Sequence, residues 1–124
     1  MSDLLFPAPS VLAKHGSAIA VLFSNLRSAS DPEGYSATAE RMEAMASQQP
    51  GFLGVESVRD SEGRGITISY WEDRAAALAW KAVGEHAVAQ QKGREKWYDE
   101  YVVRIVEVME EYGNRMDRVQ RSVP

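Results

Sequence analysis

The spacing of apolar residues changes repeatedly along the chain, and each change marks an element. Ala18 to Leu26 (AIAVLFSNL) is rich in β-branched and aromatic side chains and runs into the turn-forming Ser30-Asp31-Pro32-Glu33-Gly34, which predicts a first strand. Tyr35, Ala39, Met42 and Ala46 then recur at helical spacing, with Met45 beside them, until Pro50-Gly51. Proline cannot continue a helix, so a first helix closes there. Phe52 to Arg59 and Ile66 to Trp71 are short β-rich runs joined by Asp60-Ser61-Glu62-Gly63-Arg64-Gly65, a composition that suits a hairpin connection. Asp73 is placed to accept hydrogen bonds from the open amides of a second helix over Arg74 to Gln91, which Gly93 would close. Tyr101 to Met109 (YVVRIVEVM) is a fourth strand. Residues 1–16 carry Pro7, Pro9, Ser10 and Gly16 with little periodicity and read as an N-terminal extension, a loose terminus being the expected form. Residues 113–124 read as a polar tail, leaving 17–112 as the folded domain.

The order βαββαβ is the split βαβ of a ferredoxin-like α+β fold with a four-stranded antiparallel sheet, and right-handed crossovers put both helices on one of its faces. A sheet with its other face in water should alternate apolar and polar. Here Ile19, Val21 and Phe23 on one side of the first strand are opposed by Ala20, Leu22 and Leu26. In the fourth strand Tyr101, Val103 and Ile105 are opposed by Val102, Val106 and Val108. Two apolar faces need two covers, and the chain has no spare element for the second, so the pattern predicts a homodimer joined through its sheet faces.

Composition narrows the function. The chain has 124 residues, 44% hydrophobic and 26% charged, which suits one soluble domain. Its 18 acidic against 14 basic side chains leave a formal net charge of −4, which argues against nucleic acid as a partner. No apolar run approaches the roughly 20 residues that span a bilayer, so the expected location is the cytoplasm, away from any membrane. With no cysteine, disulfides, thiolate nucleophiles and cysteine-held metals are excluded. Nothing sits at metal-ligand spacing beside His15 or His86, so neither a metal nor any other cofactor is expected.

A helical wheel groups Leu78, Ala82, His86 and Ala89 in one apolar stripe of the second helix, with Trp80 and Ala87 at its edge. His86 is therefore either a buried structural histidine or a general base, since it titrates near neutrality. Trp71, Trp80, Trp97 and Tyr98 concentrate aromatic surface in the second half of the chain. Singly such residues are usually core, but together they suit a pocket for a planar aromatic small molecule. Asn25 shares a side of the first strand with Val21 and Phe23. Its amide either meets a substrate oxygen beneath the second helix or sits at a strand end turning into solvent.

Pro50-Gly51-Phe52-Leu53-Gly54, Ile66-Thr67-Ile68-Ser69-Tyr70-Trp71, Trp80 with His86, Ala89 and Gln90, then Gly93-Arg94 and Trp97-Tyr98 together resemble the antibiotic biosynthesis monooxygenase family over about residues 18–112. The resemblance implies a dimeric α+β barrel. It also implies oxidation of an anthrone-like phenolic by molecular oxygen without metal or flavin, with His86 and Asn25 as catalytic groups and Trp71, Trp80, Trp97 and Tyr98 binding substrate. One branch of that family degrades haem, but its iron-ligand position falls here on Gln90, a poor ligand, which disfavours that chemistry. A dimeric small-molecule-binding or stress-related protein without turnover is the alternative in another class.

Overall fold

The computed structural model describes residues 6–28, 32–91 and 98–114, apart from the side chains of 32–39 and 85–91. Its elements are β1 (Ala18–Arg27), α1 (Pro32–Ser47), β2 (Phe52–Arg59), β3 (Arg64–Trp71), α2 (Arg74–Gln91) and β4 (Tyr98–Val108). The strands form one antiparallel sheet in the order β2-β3-β1-β4. This is the ferredoxin-like α+β fold that the βαββαβ order predicts. The extra residues at the start of β4 follow a register shift between Leu26 and Arg27 that lets Tyr98 pair with Arg27.

Local chemistry explains the boundaries. Asp73 caps α2, its Oδ1 accepting from the Ala76 amide at 2.8 Å. In the β2–β3 turn, Asp60 Oδ1 accepts from the amides of Glu62 and Arg64, both at 2.9 Å, and Oδ2 from Arg64 Nε at 2.6 Å. Desolvation would raise the Asp60 pKa, but the bonds from the Arg64 side chain and from both amides outweigh it and hold the carboxyl below its ordinary value. Between α1 and β2, Gly51 has φ +85° and its carbonyl accepts from the Glu72 amide at 2.8 Å. A Cβ there would lie 2.7 Å from Ala76 Cβ, so glycine lets this turn press against the start of α2.

The helices and the sheet face beneath them share one core: Val21, Ala46, Trp71 and Ala77 are buried, with Ile19, Phe52, Trp80, Val103 and Ile105 packed around them. Trp71 is fully buried. The buried side of α2 runs through Ala77 and the half-buried Ala76 and Trp80, whereas Leu78 and Ala82 are exposed. That corrects the predicted stripe. The helix is apolar around much of its circumference, so periodicity alone does not say which side meets the sheet.

On the helix-free face, the described part of the extension, residues 6–16, is held against the sheet and is not loose. Val11 is buried with Ala18 and Leu53, beside Leu12, Tyr70 and Val108. Glu111, just beyond β4, holds this arm: its carboxylate accepts from Ser10 Oγ at 2.7 Å and from the amides of Val11 and Leu12 at 3.1 and 2.9 Å. Ser10 Oγ in turn accepts from the Ala13 amide at 3.1 Å. A second carboxylate, Glu56, accepts from the Ala8 amide at 2.8 Å and from the Tyr70 hydroxyl. The extension looked loose because these anchors lie about a hundred and about fifty residues away in sequence. Part of the second face is thus covered by the chain itself, while Val58, Val102 and Val106 on that face remain 45%, 46% and 40% exposed.

Replacing Trp71 by alanine is expected to cost about 3–5 kcal/mol in chemical denaturation, because a large fully buried side chain leaves a cavity. Glu111→Ala should free the arm at a cost of about 1–3 kcal/mol, seen as faster amide exchange at Val11 and Leu12 with exchange in β1 and β3 little changed. Burial, the Glu56 hydrogen bond and the charges of Glu56 and Glu111 raise the Tyr70 pKa above its ordinary value. The folded state therefore favours the neutral phenol, so this contribution is complete below about pH 10 and is lost as pH rises further. Tyr70→Phe should remove that alkaline component from a stability–pH profile.

Candidate functional site

Strand register assembles a polar strip on the helix-facing side of the sheet. Alternation sends Val55, Ser57 and Arg59 of β2 to the same side as Ser69, Thr67 and Gly65 of β3 and Val21, Phe23 and Asn25 of β1. Ser57 and Thr67 share a hydrogen bond of 2.7 Å, and Ser69 Oγ accepts from Trp71 Nε1 at 2.9 Å. Ser57, Thr67 and Ser69 are thus partnered at the sheet surface.

Asn25 is the central residue of the strip's outer row. It pairs in register with Gly65 on one side and Tyr101 on the other and is only 8% exposed. Its backbone is still in the ladder, so the alternative of a strand end turning into solvent does not hold. Asn25 Oδ1 accepts from Arg59 Nη2 at 2.5 Å, and Nδ2 donates to the Phe23 carbonyl at 3.3 Å. Phe23, Tyr98 and Tyr101 form an aromatic group beside it, with the Phe23 ring centroid 5.0 Å from Tyr98 and 5.7 Å from Tyr101. Tyr98 is half-buried and Tyr101 exposed.

The remaining predicted residues divide. Trp71 stacks on Trp80 at 5.7 Å with 26° between the rings and meets Phe52 edge-on at 5.6 Å. This pair lies at the Ile19 end of the sheet, since Trp71 is in register with Ile19, so it is separated along β1 from Asn25 and Tyr98. Trp80 also lines an open hollow of about 330 Å³ beside Gln49, Gly51 and Glu72. His86 lies on α2, but its side chain is outside the described residues, as is the whole of Trp97. Among the described residues, no group of three or more histidine, cysteine, aspartate or glutamate side chains is placed to hold a metal ion.

Arg59 escaped the sequence reading. It is the last residue of β2 and is exposed, as a solvated strand end would be, yet its guanidinium is held against Asn25. The signal was the parity of Ser57 and Arg59 together with a glycine across the hairpin, where the guanidinium has room to lie. The arrangement as a whole offers hydrogen-bond donors and one cationic group beside flat aromatic surface, which suits an aromatic molecule carrying an acceptor oxygen.

Comparison with known proteins agrees with this architecture. The family model for antibiotic biosynthesis monooxygenase matches residues 19–92. A Bacillus subtilis protein described as uncharacterized, YqjZ, is 53% identical over 89 residues, covering 72% of this chain and 77% of that protein. Among solved structures, Rv0793 of Mycobacterium tuberculosis superposes with a TM-score of 0.63 at 12% identity, over 78% of this chain and 100% of that one. SnoaB of Streptomyces nogalater, a cofactor-independent oxygenase, gives 0.58 at 17% identity over 77% and 95%. MhuD of Mycobacterium tuberculosis, a haem degrader, gives 0.52 at 24% over 77% and 99%. At these identities the structural neighbours show the fold alone. The extent of the family match and the identity with YqjZ place this chain in the antibiotic biosynthesis monooxygenase family.

Proposed function

We propose that this protein is a cofactor-independent monooxygenase that oxidises a planar phenolic, anthrone-like molecule with molecular oxygen. The observation that carries the reading is the burial of Asn25 on the helix-facing side of the sheet, beside the aromatic group of Phe23, Tyr98 and Tyr101, in a chain of this family. Electron-rich phenolate or carbanion forms react with oxygen without a metal, so the protein needs only to deprotonate, orient and desolvate the substrate. For an anthrone, the methylene carbon loses two hydrogens and gains one oxygen atom as a carbonyl, and the second oxygen atom leaves as water. In this reading His86 is the base, Asn25 stabilises the developing oxyanion, Trp97 and Tyr98 line the binding site, and Trp71 and Trp80 support it from the core at the other end of the sheet.

A non-catalytic binding protein is the second reading. The complete burial of Trp71 and its stacking on Trp80 favour it, because they give both rings a role in the core that needs no ligand.

The functional protein in either reading is a homodimer. The two-sided apolarity of β1 and β4 supports this, as does the exposure of Val58, Val102 and Val106 on the face without helices. No helix among the described residues is long and apolar enough to cross a membrane.

Oxygen uptake by the metal-free protein with a panel of anthrones and hydroquinones should exceed the spontaneous rate, and His86→Ala should reduce it by about 10²–10⁴-fold, the usual contribution of a general base. Uptake at the spontaneous rate across the panel would favour the binding reading, and a Soret shift on adding haemin would point to the haem branch instead. Sedimentation should give about twice the 13.8 kDa chain mass, and a Val102→Asp, Val106→Asp protein should sediment as a monomer because buried unpaired carboxylates oppose association.

A further inference from the structure

Arg59 and Asn25 are thirty-four positions apart and meet across β3. Arg59 Nη1 donates to the Gly63 carbonyl at 2.6 Å while Nη2 donates to Asn25 Oδ1. The guanidinium lies against Gly65: a Cβ on that residue would stand 2.7 Å from Arg59 Cζ and 2.8 and 2.9 Å from its two terminal nitrogens. Gly63 belongs to the hairpin turn closed by Asp60, so Arg59 is anchored at both ends of its fork.

An arginine has five N–H donors and no acceptor. Beside it a side-chain amide has only one stable orientation, oxygen toward the guanidinium, because the flipped form would set donor against donor. Of the two amide hydrogens, one has a long bond to the Phe23 carbonyl, and among the described residues the other has no partner. We infer that Arg59 is a positioning residue that locks Asn25 as a hydrogen-bond donor, and that with it the site selects the phenolate or enolate form of an aromatic ligand over the neutral form. The inference deepens the functional proposal above and rests on its assignment of Asn25 to the ligand site. An amide free to flip would present its oxygen for part of the time and would bind a neutral phenol, itself a donor, nearly as well. Fixed in one orientation and polarised by a cation at its oxygen, the amide favours a negatively charged acceptor.

Gly65 permits a test that leaves the arginine in place. Its φ lies outside the left-handed region and the crowded atoms are the end of a flexible side chain, so Gly65→Ala should displace the guanidinium with little effect on the backbone. The probe is 1,2-dihydroxyanthraquinone, whose visible spectrum separates phenol from phenolate, titrated with wild type, Arg59→Ala, Arg59→Lys, Gly65→Ala, Asn25→Ala and the Arg59→Ala, Asn25→Ala double variant across pH 5–9, each first shown to be folded. Wild type should bind the phenolate and lower the apparent phenol pKa of the bound dye. Arg59→Ala and Gly65→Ala should each weaken phenolate binding by about tenfold, the scale of one charge-assisted hydrogen bond, with neutral-form binding changed less than twofold. Arg59→Lys should recover part of the loss, since one ammonium cannot reproduce the fork. In the Asn25→Ala background, removing Arg59 should cost less than twofold more, because it acts through the amide.

Equal phenolate binding by wild type and Arg59→Ala would overturn the inference, as would a full additional tenfold loss in the Asn25→Ala background or no dye binding by wild type. Oxygen uptake is scored separately. The expected binding pattern without oxygen uptake refutes the oxygenase reading and leaves Arg59 in its role, whereas oxygen uptake with an unaffected Arg59→Ala protein does the reverse.

Discussion

Both helices lie on one face of a sheet whose strands are apolar on both faces, and this asymmetry sets what every other segment must do. Under the helices, Trp71, Val21, Ala46 and Ala77 form a dry core that anchors one end of the sheet. Burial of apolar surface of this kind is the main favourable term in folding, and it is concentrated at the Ile19 end. Toward the other end of the same face the sheet surface becomes polar, with Ser57, Thr67 and the buried Asn25 arranged in rows and Arg59 exposed at the rim. A sheet rigidly held at one end can carry a polar strip at the other, because the ladder continues through both.

The opposite face meets the same constraint by different means. There the N-terminal arm supplies Val11 as a plug over Ala18 and Leu53, and two carboxylates, Glu56 and Glu111, satisfy the arm's open amides. Such an arrangement is economical in residues, since one carboxylate accepts several donors at once. It also couples the arm to Tyr70 in β3, so that the end of the sheet and the start of the chain share a hydrogen-bond network. Beyond the arm, Val58, Val102 and Val106 stay exposed on this face.

In chemical terms the polar strip is a case of preorganisation. Arg59 reaches Asn25 because Gly65 lies between them without a side chain, and Gly63 gives the other half of the guanidinium a fixed partner. Donors held in place before a ligand arrives need no rearrangement when charge develops, which is where such groups contribute most. Under the role proposed for Asn25, the orientation of this single amide would decide whether the strip meets a donor or an acceptor.

The sequence by itself determined the element order, the ferredoxin-like topology and the presence of two apolar sheet faces. Strand alternation, the Asp73 cap and the Pro50-Gly51 stop are local signals, and right-handed crossovers then leave little freedom in how the pieces assemble. It also placed Asn25 on the side of Val21 and Phe23. Tertiary structure alone decided that Ala77 and Trp80, and not Leu78 and Ala82, face the sheet, since a helix rich in alanine carries no strong phase. Only it could bring Glu111 to Ser10 and Arg59 to Asn25, because a hydrogen bond between distant residues leaves no periodicity in the chain. Burial of Trp71 against Trp80, and the distance of that pair from Asn25, likewise follow from register, which hydrophobic pattern constrains in parity but not in position.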